Sequence, residues 1–277
     1  MTSQAELYAR FKALHDRDGG FILPNAWDGT SALVLKQAGF EALGTSSAAI
    51  AAALGRQDGC HAVSREEHLA NAVLLGRLTG LPINGDFEDG YGETAAEVAL
   101  TVRAAIDAGL AGIGIEDTSG DPAHPIRDFD QAVERVRQAA KVAKGRILLT
   151  GRTDNFLQGR PDLEDTIKRL VAFAEVGADV LYAPYPTDMD AVRAIVRAVA
   201  PKPVNIVVGT MAGTVPWQEL QQAGVRRVSL GSALYSRVMF ELQTAAKQLA
   251  AGDLASASRG IGLRGITKMI AEATQQN

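Results

Sequence analysis

The sequence predicts an α/β fold, a parallel (β/α)8 barrel of the TIM type, and three observations point to it. Four helical segments end at a glycine followed directly by a short apolar run, at Gly39, Gly109, Gly177 and Gly224. A glycine commonly caps a helix, and a short apolar run is typical of a buried parallel strand. Helix and strand patterns alternate, and 277 residues suit one such barrel. An open doubly wound sheet is the alternative.

Strands are expected in these apolar runs and at related junctions that precede Pro82, Arg146 and Pro203. Eight alternating strand and helix units in one domain-sized chain favour a closed parallel barrel. The eight strands are predicted near residues 21–25, 42–45, 82–86, 112–116, 146–151, 179–183, 204–208 and 227–230.

Helices are expected between the strands, and two of their starts carry capping boxes. Ser64 precedes Glu67 by three residues, and Thr94 precedes Glu97 in the same way. The helix after Thr94 is amphipathic, because apolar side chains recur every four residues on one face. Those side chains are Val98, Val102, Ile106 and Leu110.

The end of the chain extends beyond the eight units. We expect one domain over residues 1–277, with a C-terminal helical extension over residues 253–277 that contains a helix at 258–273. Residues 260–265 fit the dinucleotide pattern G-x-G-x-x-G. No predicted strand precedes this pattern and no βαβ unit can follow it, so a turn or helix interruption is predicted instead.

Composition and charge narrow the class of function. The net charge is −4 and the basic residues are scattered, which argues against nucleic acid or an anionic membrane as partner and leaves small molecules. The single cysteine, Cys60, cannot form an internal disulfide, and no signal segment is recognisable, so a cytoplasmic location is expected. No apolar run is long enough to span a bilayer.

Polar residues cluster where the predicted strands end. In parallel barrels the active site lies at the carboxyl ends of the strands, so convergence from several strands indicates chemistry there. One such residue alone is more often a helix N-cap, and Asp28 before Thr30 has that alternative. The strand-end residues are Asn25, Asp28, Thr45, Ser46, Ser47, Asp86, Glu88, Asp89, Glu116, Asp117, Arg152, Thr153, Asp154 and Asn205.

The acidic members of this group predict a metal site. Asp86, Glu88 and Glu116 would repel one another in a small space unless a cation lay between them. Hard oxygen ligands suit Mg²⁺ or Mn²⁺, whereas the four histidines show no zinc-ligand spacing with Cys60. For Asp89 a solvated acidic turn is the expectation.

In six motifs the chain resembles the isocitrate lyase and phosphoenolpyruvate mutase superfamily, over most of its length. Each motif is weak alone, but together they occur in the family's order. Residues 28–32 resemble the family motif D-x-x-S-A, residues 54–58 resemble L-G-x-x-D, and residues 86–92 resemble D-x-D-x-G-Y-G. Residues 115–117 resemble I-E-D, residues 151–154 resemble A-R-T-D, and residues 204–205 resemble the end of P-x-x-x-N.

The resemblance implies roles for individual residues. Glu88 would bind the metal directly, and Asp86 and Glu116 through water, with Asp86 also near the substrate. Arg152 would face the oxygen that becomes an enolate, so that Arg152, Asp58 and Glu116 are the candidate catalytic residues. The remaining substrate ligands would be Thr45, Ser46 and Ser47 for one carboxylate and Asn205 for a second carboxylate or carbonyl. The family fold exchanges its last helix between subunits, which implies a homo-oligomer, a dimer or tetramer.

Three departures from the family pattern direct the functional hypothesis. Glu88 stands where the family commonly has Asp, and residues 118–125 replace the K-K-C-G-H loop of the carbon–carbon lyases. The glutamate that those lyases place after the sixth strand is also replaced, near Pro184. His124 is either a substitute proton donor or a surface histidine, and Cys60 is not at the position of the lyase cysteine.

We therefore expect a Mg²⁺-dependent lyase that acts on a small 2-oxo or 2-hydroxy acid through an enolate. Decarboxylation of an oxaloacetate-like diacid demands less of a placed proton donor than cleavage of isocitrate or methylisocitrate. Two alternatives remain: phosphorus–carbon chemistry, as in phosphonopyruvate hydrolase or phosphoenolpyruvate mutase, and a non-catalytic protein that binds 2-oxo acids.

Overall fold

A ring of parallel strands forms the centre of the computed structural model, which describes residues 2–59, 61–207 and 215–275, with side chains to residue 273. The strands of these residues follow the hydrogen-bonded order β1-β8-β7-β6-β5-β4-β3-β2. They are β1 (Phe21–Leu23), β2 (Leu43–Gly44), β3 (Ile83–Asp86), β4 (Gly112–Glu116), β5 (Leu148–Arg152), β6 (Val180–Tyr182), β7 (Val204–Val207) and β8 (Arg227–Ser229). Residue 208 of the seventh predicted strand lies outside the described residues, as does Cys60.

The ring closes between β1 and β2. Asn25 and Gly44 form a parallel bridge, in which the Gly44 N–H donates to the Pro24 carbonyl and the Ala26 N–H to the Gly44 carbonyl, each at 2.9 Å. A Cβ at position 44 would lie 2.9 Å from Nδ2 of the Asn25 side chain, so a larger residue there would displace that buried side chain. The predicted barrel is therefore confirmed, and the open doubly wound sheet is excluded.

Helices surround the barrel. Both predicted capping boxes are present, at Ser64 with Glu67 and at Thr94 with Glu97. Val98, Val102 and Ile106 are buried, which confirms the apolar face of that helix; Leu110 is also buried but lies beyond the end of the helix at Asp107. The helices are α1 (Gln4–Asp16), α2 (Gly29–Gln37), α3 (Ser47–Ala53), α4 (Arg65–Thr79), α5 (Ala95–Asp107), α6 (Phe129–Ala143), α7 (Leu163–Glu175), α8 (Met189–Val199), α9 (Trp217–Gln222), α10 (Ala233–Ala250) and α11 (Gly262–Gln275).

Helix α1 lies across the amino-terminal end of the barrel. Phe11 is fully buried and packs in a cluster with Phe21, Leu23 and Leu148, which lie on strands. Ser3 caps the helix through a further capping box. This end of the barrel is filled by side chains, so small molecules must enter from the opposite end, where the strands finish.

The C-terminal segment consists of α10, a short 3₁₀ helix (Leu254–Ser258) and α11. The helix predicted at 258–273 is present with shifted bounds, and Gly262 of the G-x-G-x-x-G pattern opens α11. Met269 and Ala273 of α11 pack against Leu33 and Leu78 of the same chain. The predicted exchange of this helix between subunits stays a prediction. None of the described helices combines the length and apolar composition that crossing a membrane requires.

Candidate active site

A cavity of about 290 Å³ opens at the carboxyl ends of the strands. Its lining includes Thr45 and Ser46 after β2, Ser47 at the start of α3, Asp86 at the end of β3 and Arg152 at the end of β5. Asn205 of β7 lies deeper. All six predicted substrate-binding residues therefore line one cavity, as expected for residues at the ends of parallel strands.

Arg152 is the cation at the centre of this site. Its Nε and Nη2 donate to the two carboxylate oxygens of Asp154, at 2.5 and 2.7 Å. Its Nη1 lies 2.9 Å from Glu116 Oε2 and 3.7 Å from Asp86 Oδ1. The guanidinium carbon lies 5.3 Å from the centroid of the Tyr182 ring. One edge of the guanidinium is thus held by Asp154, and the other faces the carboxylates at the mouth of the barrel.

A second cavity, of about 270 Å³, adjoins the first and is acidic. Asp58, Glu88, Glu116 and Asp154 line it, and Arg152 is the one cationic side chain among its described lining residues. Burial raises the pKa of Glu116 well above its ordinary value, against the lowering effect of Arg152. Burial also raises the pKa of Asp58, and the charges of Asp86 and Glu88 add to this increase. These carboxyl groups hold protons more readily than exposed ones.

Glu88 occupies a turn with left-handed backbone geometry, at φ 48°. Its carboxylate accepts hydrogen bonds from the His61 backbone N–H at 3.1 Å and the Tyr91 hydroxyl at 3.3 Å, and it lies 3.6 Å from Nε2 of His68. Its own carbonyl accepts from the Glu116 N–H at 3.0 Å. The backbone of the two proposed ligands is therefore joined, while the Glu88 carboxylate is directed toward the wall formed by His61, His68 and Tyr91.

The donors present suit a hard divalent cation. Asp86, Glu88 and Glu116 supply carboxylate oxygens, the ligands that Mg²⁺ prefers, and negative charge exceeds positive charge around the acidic cavity. Among the described residues, no three Asp, Glu, His or Cys side chains converge on a single point. The ligand set inferred from the resemblance therefore stays a prediction.

The expectation for Asp89 is wrong. Its side chain is buried rather than solvated, because it accepts hydrogen bonds from Arg127 at 2.6 Å, Arg135 at 3.2 Å and the His61 ring at 2.7 Å. Burial opposes its ionisation, but the bonds from His61 and Arg127 outweigh that effect and lower the pKa of Asp89. The residue anchors the turn that carries Glu88.

The proposed carboxylate-binding segment is already engaged in part. The Thr45 hydroxyl accepts from the Asp86 N–H at 2.8 Å, and the Ser46 hydroxyl caps α3 by accepting from the Ala49 N–H. The Ser47 N–H donates to Asp86 Oδ2 at 2.9 Å. These contacts hold the segment after β2 to the end of β3. The hydroxyl hydrogens of Thr45 and Ser46 remain able to donate hydrogen bonds to a ligand.

The loop 118–125 borders the acidic cavity, which several of its residues line, but His124 is not among them. Thr118 donates to Glu116 Oε1 at 2.7 Å, and the loop closes through an antiparallel bridge between Thr118 and Ile126. The side chain of His124 is 84% exposed and lies 3.3 Å from Asp121. His124 is therefore a surface histidine in this structure.

Sequence reasoning missed several residues of the cavity, among them Tyr182 and Arg227. Tyr182 ends β6 and lies against Arg152, and Arg227 begins β8 and lies 2.8 Å from the Asn205 amide oxygen. The signal was the two-residue period of strands, since Arg227 and Ser229 must face the same side of β8. Attention to charged and small polar residues at strand ends overlooked Tyr182, and Arg227 was overlooked because it lies at the beginning of its strand.

Comparison with known proteins identifies the family of the chain. A sequence model of the family described as phosphoenolpyruvate phosphomutase matches residues 11–250. A Mycobacterium tuberculosis protein of uncharacterized function is 32% identical over 248 residues, covering 88% of this chain and 90% of that protein. The oxaloacetate decarboxylase of Paraburkholderia xenovorans is 34% identical over 202 residues, covering 69% of this chain and 65% of the relative.

A crystal structure from Burkholderia cenocepacia J2315, of a protein with only a provisional lyase/mutase description, superposes with a TM-score of 0.92. It is 41% identical and covers 97% of this chain and 96% of its own. The family match spans the barrel and every residue of the proposed site. The chain belongs to the phosphoenolpyruvate phosphomutase family, within the isocitrate lyase and phosphoenolpyruvate mutase superfamily.

Proposed function

We propose that this protein is a Mg²⁺-dependent lyase that cleaves a bond beside the carbonyl of a small 2-oxo or 2-hydroxy acid, with oxaloacetate-type decarboxylation as the leading reaction. The position of Arg152 carries the proposal: Asp154 holds one edge of its guanidinium, while Nη1 points to Glu116 and Asp86 inside the strand-end cavity. A fixed donor in a cavity is what a developing enolate oxygen needs.

Different residues of the chain bind the substrate, donate to its carbonyl oxygen and hold the metal ion. Thr45, Ser46 and Ser47 hold and orient the carboxylate of the acid, and Arg152 donates hydrogen bonds to the carbonyl oxygen. Asp86, Glu88 and Glu116 would hold the Mg²⁺, which would supply Lewis-acid polarisation of the bound acid. The guanidinium stays charged at any working pH, so its contribution does not depend on proton transfer.

In decarboxylation the bond between the third and fourth carbons breaks, and its electron pair becomes the enolate that Arg152 faces. Carbon dioxide leaves, and the enolate carbon then takes a proton from water or from Asp58. The raised pKa of Asp58 suits it to carry that proton.

The oxaloacetate decarboxylase among the relatives supports this choice of reaction. Phosphorus–carbon chemistry is the second candidate, supported by the name of the matched family. A binding protein without turnover is the third. One experiment separates the three: incubation with Mg²⁺ and oxaloacetate, 2-methylisocitrate, 2,3-dimethylmalate or phosphonopyruvate, followed by ¹H and ³¹P NMR. Mg²⁺-dependent pyruvate from oxaloacetate, above the rate without enzyme, is expected. Turnover of phosphonopyruvate alone, or of none, would contradict the proposal.

We expect poor cleavage of 2-methylisocitrate, because loop 118–125 carries no cysteine and its histidine is exposed. General acid catalysis typically contributes about 10²- to 10⁴-fold, so kcat/KM for 2-methylisocitrate should fall below that for oxaloacetate by about this factor. Both substrates are measured on one preparation, with His124→Ala as the control variant. Efficient methylisocitrate cleavage, undiminished in His124→Ala, would contradict this expectation.

We also propose that the enzyme works as a cytoplasmic homo-oligomer. Helix α10 has no buried residue along its described length, yet it carries Val238, Phe240 and Leu242. Leu254, Ile261 and Leu263 beyond it are more than two-thirds exposed. Several large apolar side chains exposed in one segment are typical of a subunit interface.

A further inference from the structure

Arg227 lies across the floor of the barrel and has no established role. Its side chain starts at the beginning of β8 and is almost fully buried. Nε donates to Asn205 Oδ1 at 2.8 Å, and Nη2 donates to Thr150 Oγ1 of β5 at 3.0 Å. Nη1 lies 3.3 Å from Nε2 of His15, on α1.

The His15 contact is neutral. Nδ1 of His15 lies 2.9 Å from the Phe11 carbonyl, which can only accept, so Nδ1 carries the proton and Nε2 accepts from Arg227. Burial and the charge of Arg227 lower the pKa of His15 to about 3, which keeps the ring uncharged. All three partners of the guanidinium are therefore neutral groups.

No carboxylate balances this cation. Among the described residues Arg227 makes no ion pair, although Arg152, Arg169 and Arg135 all pair with buried acids. The residues outside that set, which are Met1, Cys60, 208–214 and 276–277, include no Asp or Glu side chain. A buried charge without a countercharge is unfavourable, and burial accordingly lowers the pKa of Arg227 to about 10.

The guanidinium faces the cavity that contains the proposed active site. Arg227, Thr150 and Asn205 line the same space as Asp86 and Arg152. Thr150 precedes Arg152 by two residues on β5, so the floor lies roughly 6–7 Å below the strand ends. Two of the five guanidinium N–H groups remain beyond the three contacts described. Acid groups and the proposed cation site are at the mouth, and an unpaired cation is at the floor.

We propose that Arg227, with Asn205 beside it, is the receptor for a second carboxylate of the substrate, so that the enzyme selects diacids over monoacids. This inference rests on the proposed function, because the first carboxylate must be held at the strand ends. A four- or five-carbon diacid is about long enough to reach from the strand ends to the floor of the cavity. A monoacid leaves the buried guanidinium without a countercharge.

The test uses a matched pair of ligands that cannot be decarboxylated: malate and its C4 amide, which differ in one negative charge. Dissociation constants are measured by isothermal titration calorimetry in Mg²⁺ with the full chain. We expect malate to bind at least about tenfold more tightly than the amide, the scale of one charge-assisted pair. Equal affinity would leave the proposed function standing and overturn the inference. Binding of neither ligand would contradict the proposed function itself.

Variants then assign the preference to Arg227. Arg227→Met, of similar length but uncharged, should reduce the preference to less than about threefold, mostly by weakening malate binding. Arg227→Lys keeps the charge and should retain part of the preference. Arg226→Met, whose side chain points to the other side of β8, is the control and should behave as the parent. A full preference in Arg227→Met and Arg227→Lys would show that Arg227 only fills the barrel. The comparison of the two ligands on the parent needs no variant, so it stands even if one variant folds poorly.

Discussion

At the scale of single residues, the positive charge of Arg152 is balanced by nearby carboxylates, whereas some of the negative charge in the site is not balanced. Arg152 is surrounded by Asp154, Glu116 and Asp86, so its own charge is well compensated while excess negative charge remains nearby. Burial raises the pKa values of Glu116 and Asp154, so the cluster resists full ionisation. We therefore expect activity to depend on the geometry of the Arg152 guanidinium and not only on its charge.

Arg152→Lys should therefore be a damaging change. An ammonium group cannot bind Asp154 through two parallel hydrogen bonds and also face the enolate oxygen. We expect kcat to fall on the order of 10²-fold, the scale for loss of one preorganised oxyanion donor, with a smaller change in KM. Steady-state kinetics on the substrate identified by NMR measure this, and Arg193→Lys, in a surface ion pair, is the control. A near-parental kcat would mean that Arg152 is a structural ion-pair partner.

His15 should make stability depend on pH. Its pKa falls from 6.5 to about 3 on folding, so between these values the unfolded chain binds a proton that the folded protein excludes. Stability is therefore full above the unfolded pKa and decreases as pH falls through this window. Lowering the pH from 7.5 to 5 should cost about 2 kcal/mol through this residue.

Urea unfolding of the parent and His15→Gln at both pH values measures this contribution as the difference between their pH dependences. His124→Gln, at an exposed histidine, is the control and should match the parent. An identical pH dependence in the parent and His15→Gln would show that the buried ring titrates normally.

At the scale of elements, the helices around the barrel each contain buried residues, and α10 is the exception. Val98 and Val102 of α5 are fully buried, whereas α10 has no buried residue along its described length and exposes 65% of Phe240. Leu234 of this helix packs against the main core and the Tyr235 ring contacts Trp27, whereas Val238, Phe240 and Leu242 are exposed. Its sequence is consistent with a surface that another subunit covers.

Leu242→Glu should disrupt the assembly, because a charge buried in an apolar interface lacks compensation. Size-exclusion chromatography with light scattering should show a dimer or tetramer for the parent and a smaller species for the variant. Leu100→Glu, at a leucine of similar exposure on α5, is the control and should assemble as the parent does. A monomeric parent would refute the proposed homo-oligomer.

At the scale of the whole molecule, the barrel has a closed end and an open end. Helix α1 fills the amino-terminal end, and the loops after the strands surround the cavities at the other. Polar groups that are far apart in sequence therefore meet in one confined space, where water screens their charges poorly. A cation that bridges β3 and β4 would link the binding of a ligand to the stability of the barrel.

Ligand binding should accordingly require a divalent cation. We expect oxalate, a mimic of the two oxygens of a 2-oxo acid, to raise the melting temperature of the parent only when Mg²⁺ is present. Glu88→Gln and Glu116→Gln should fold yet lose this response, because a neutral amide is a poor ligand for Mg²⁺. Glu93→Gln, at an exposed carboxylate in the loop after β3, is the control. Parental responses in both variants would show that the cation site lies elsewhere.

Local patterns in the sequence determined the barrel, because each signal spans only a few residues. Glycine at the helix ends, short apolar runs and capping boxes such as Ser64 with Glu67 specify their own segments without knowledge of the rest. Strand-end polarity located the cavity for the same reason, since parallel strands bring their carboxyl ends together. Local patterns did not predict the burial of Asp89, because it is buried by Arg127 and Arg135, which lie beyond β4 in the sequence.

The floor of the cavity was decided only by the tertiary structure. Arg227 meets Thr150 across 77 residues of sequence and His15 across 212, and no local period links such positions. The sequence alone determined the fold, the family and the ring of acids and arginine at the mouth of the barrel. Closure of the barrel decided which charges face one another and which buried cation has no countercharge, because these depend on distances through the interior and not along the chain.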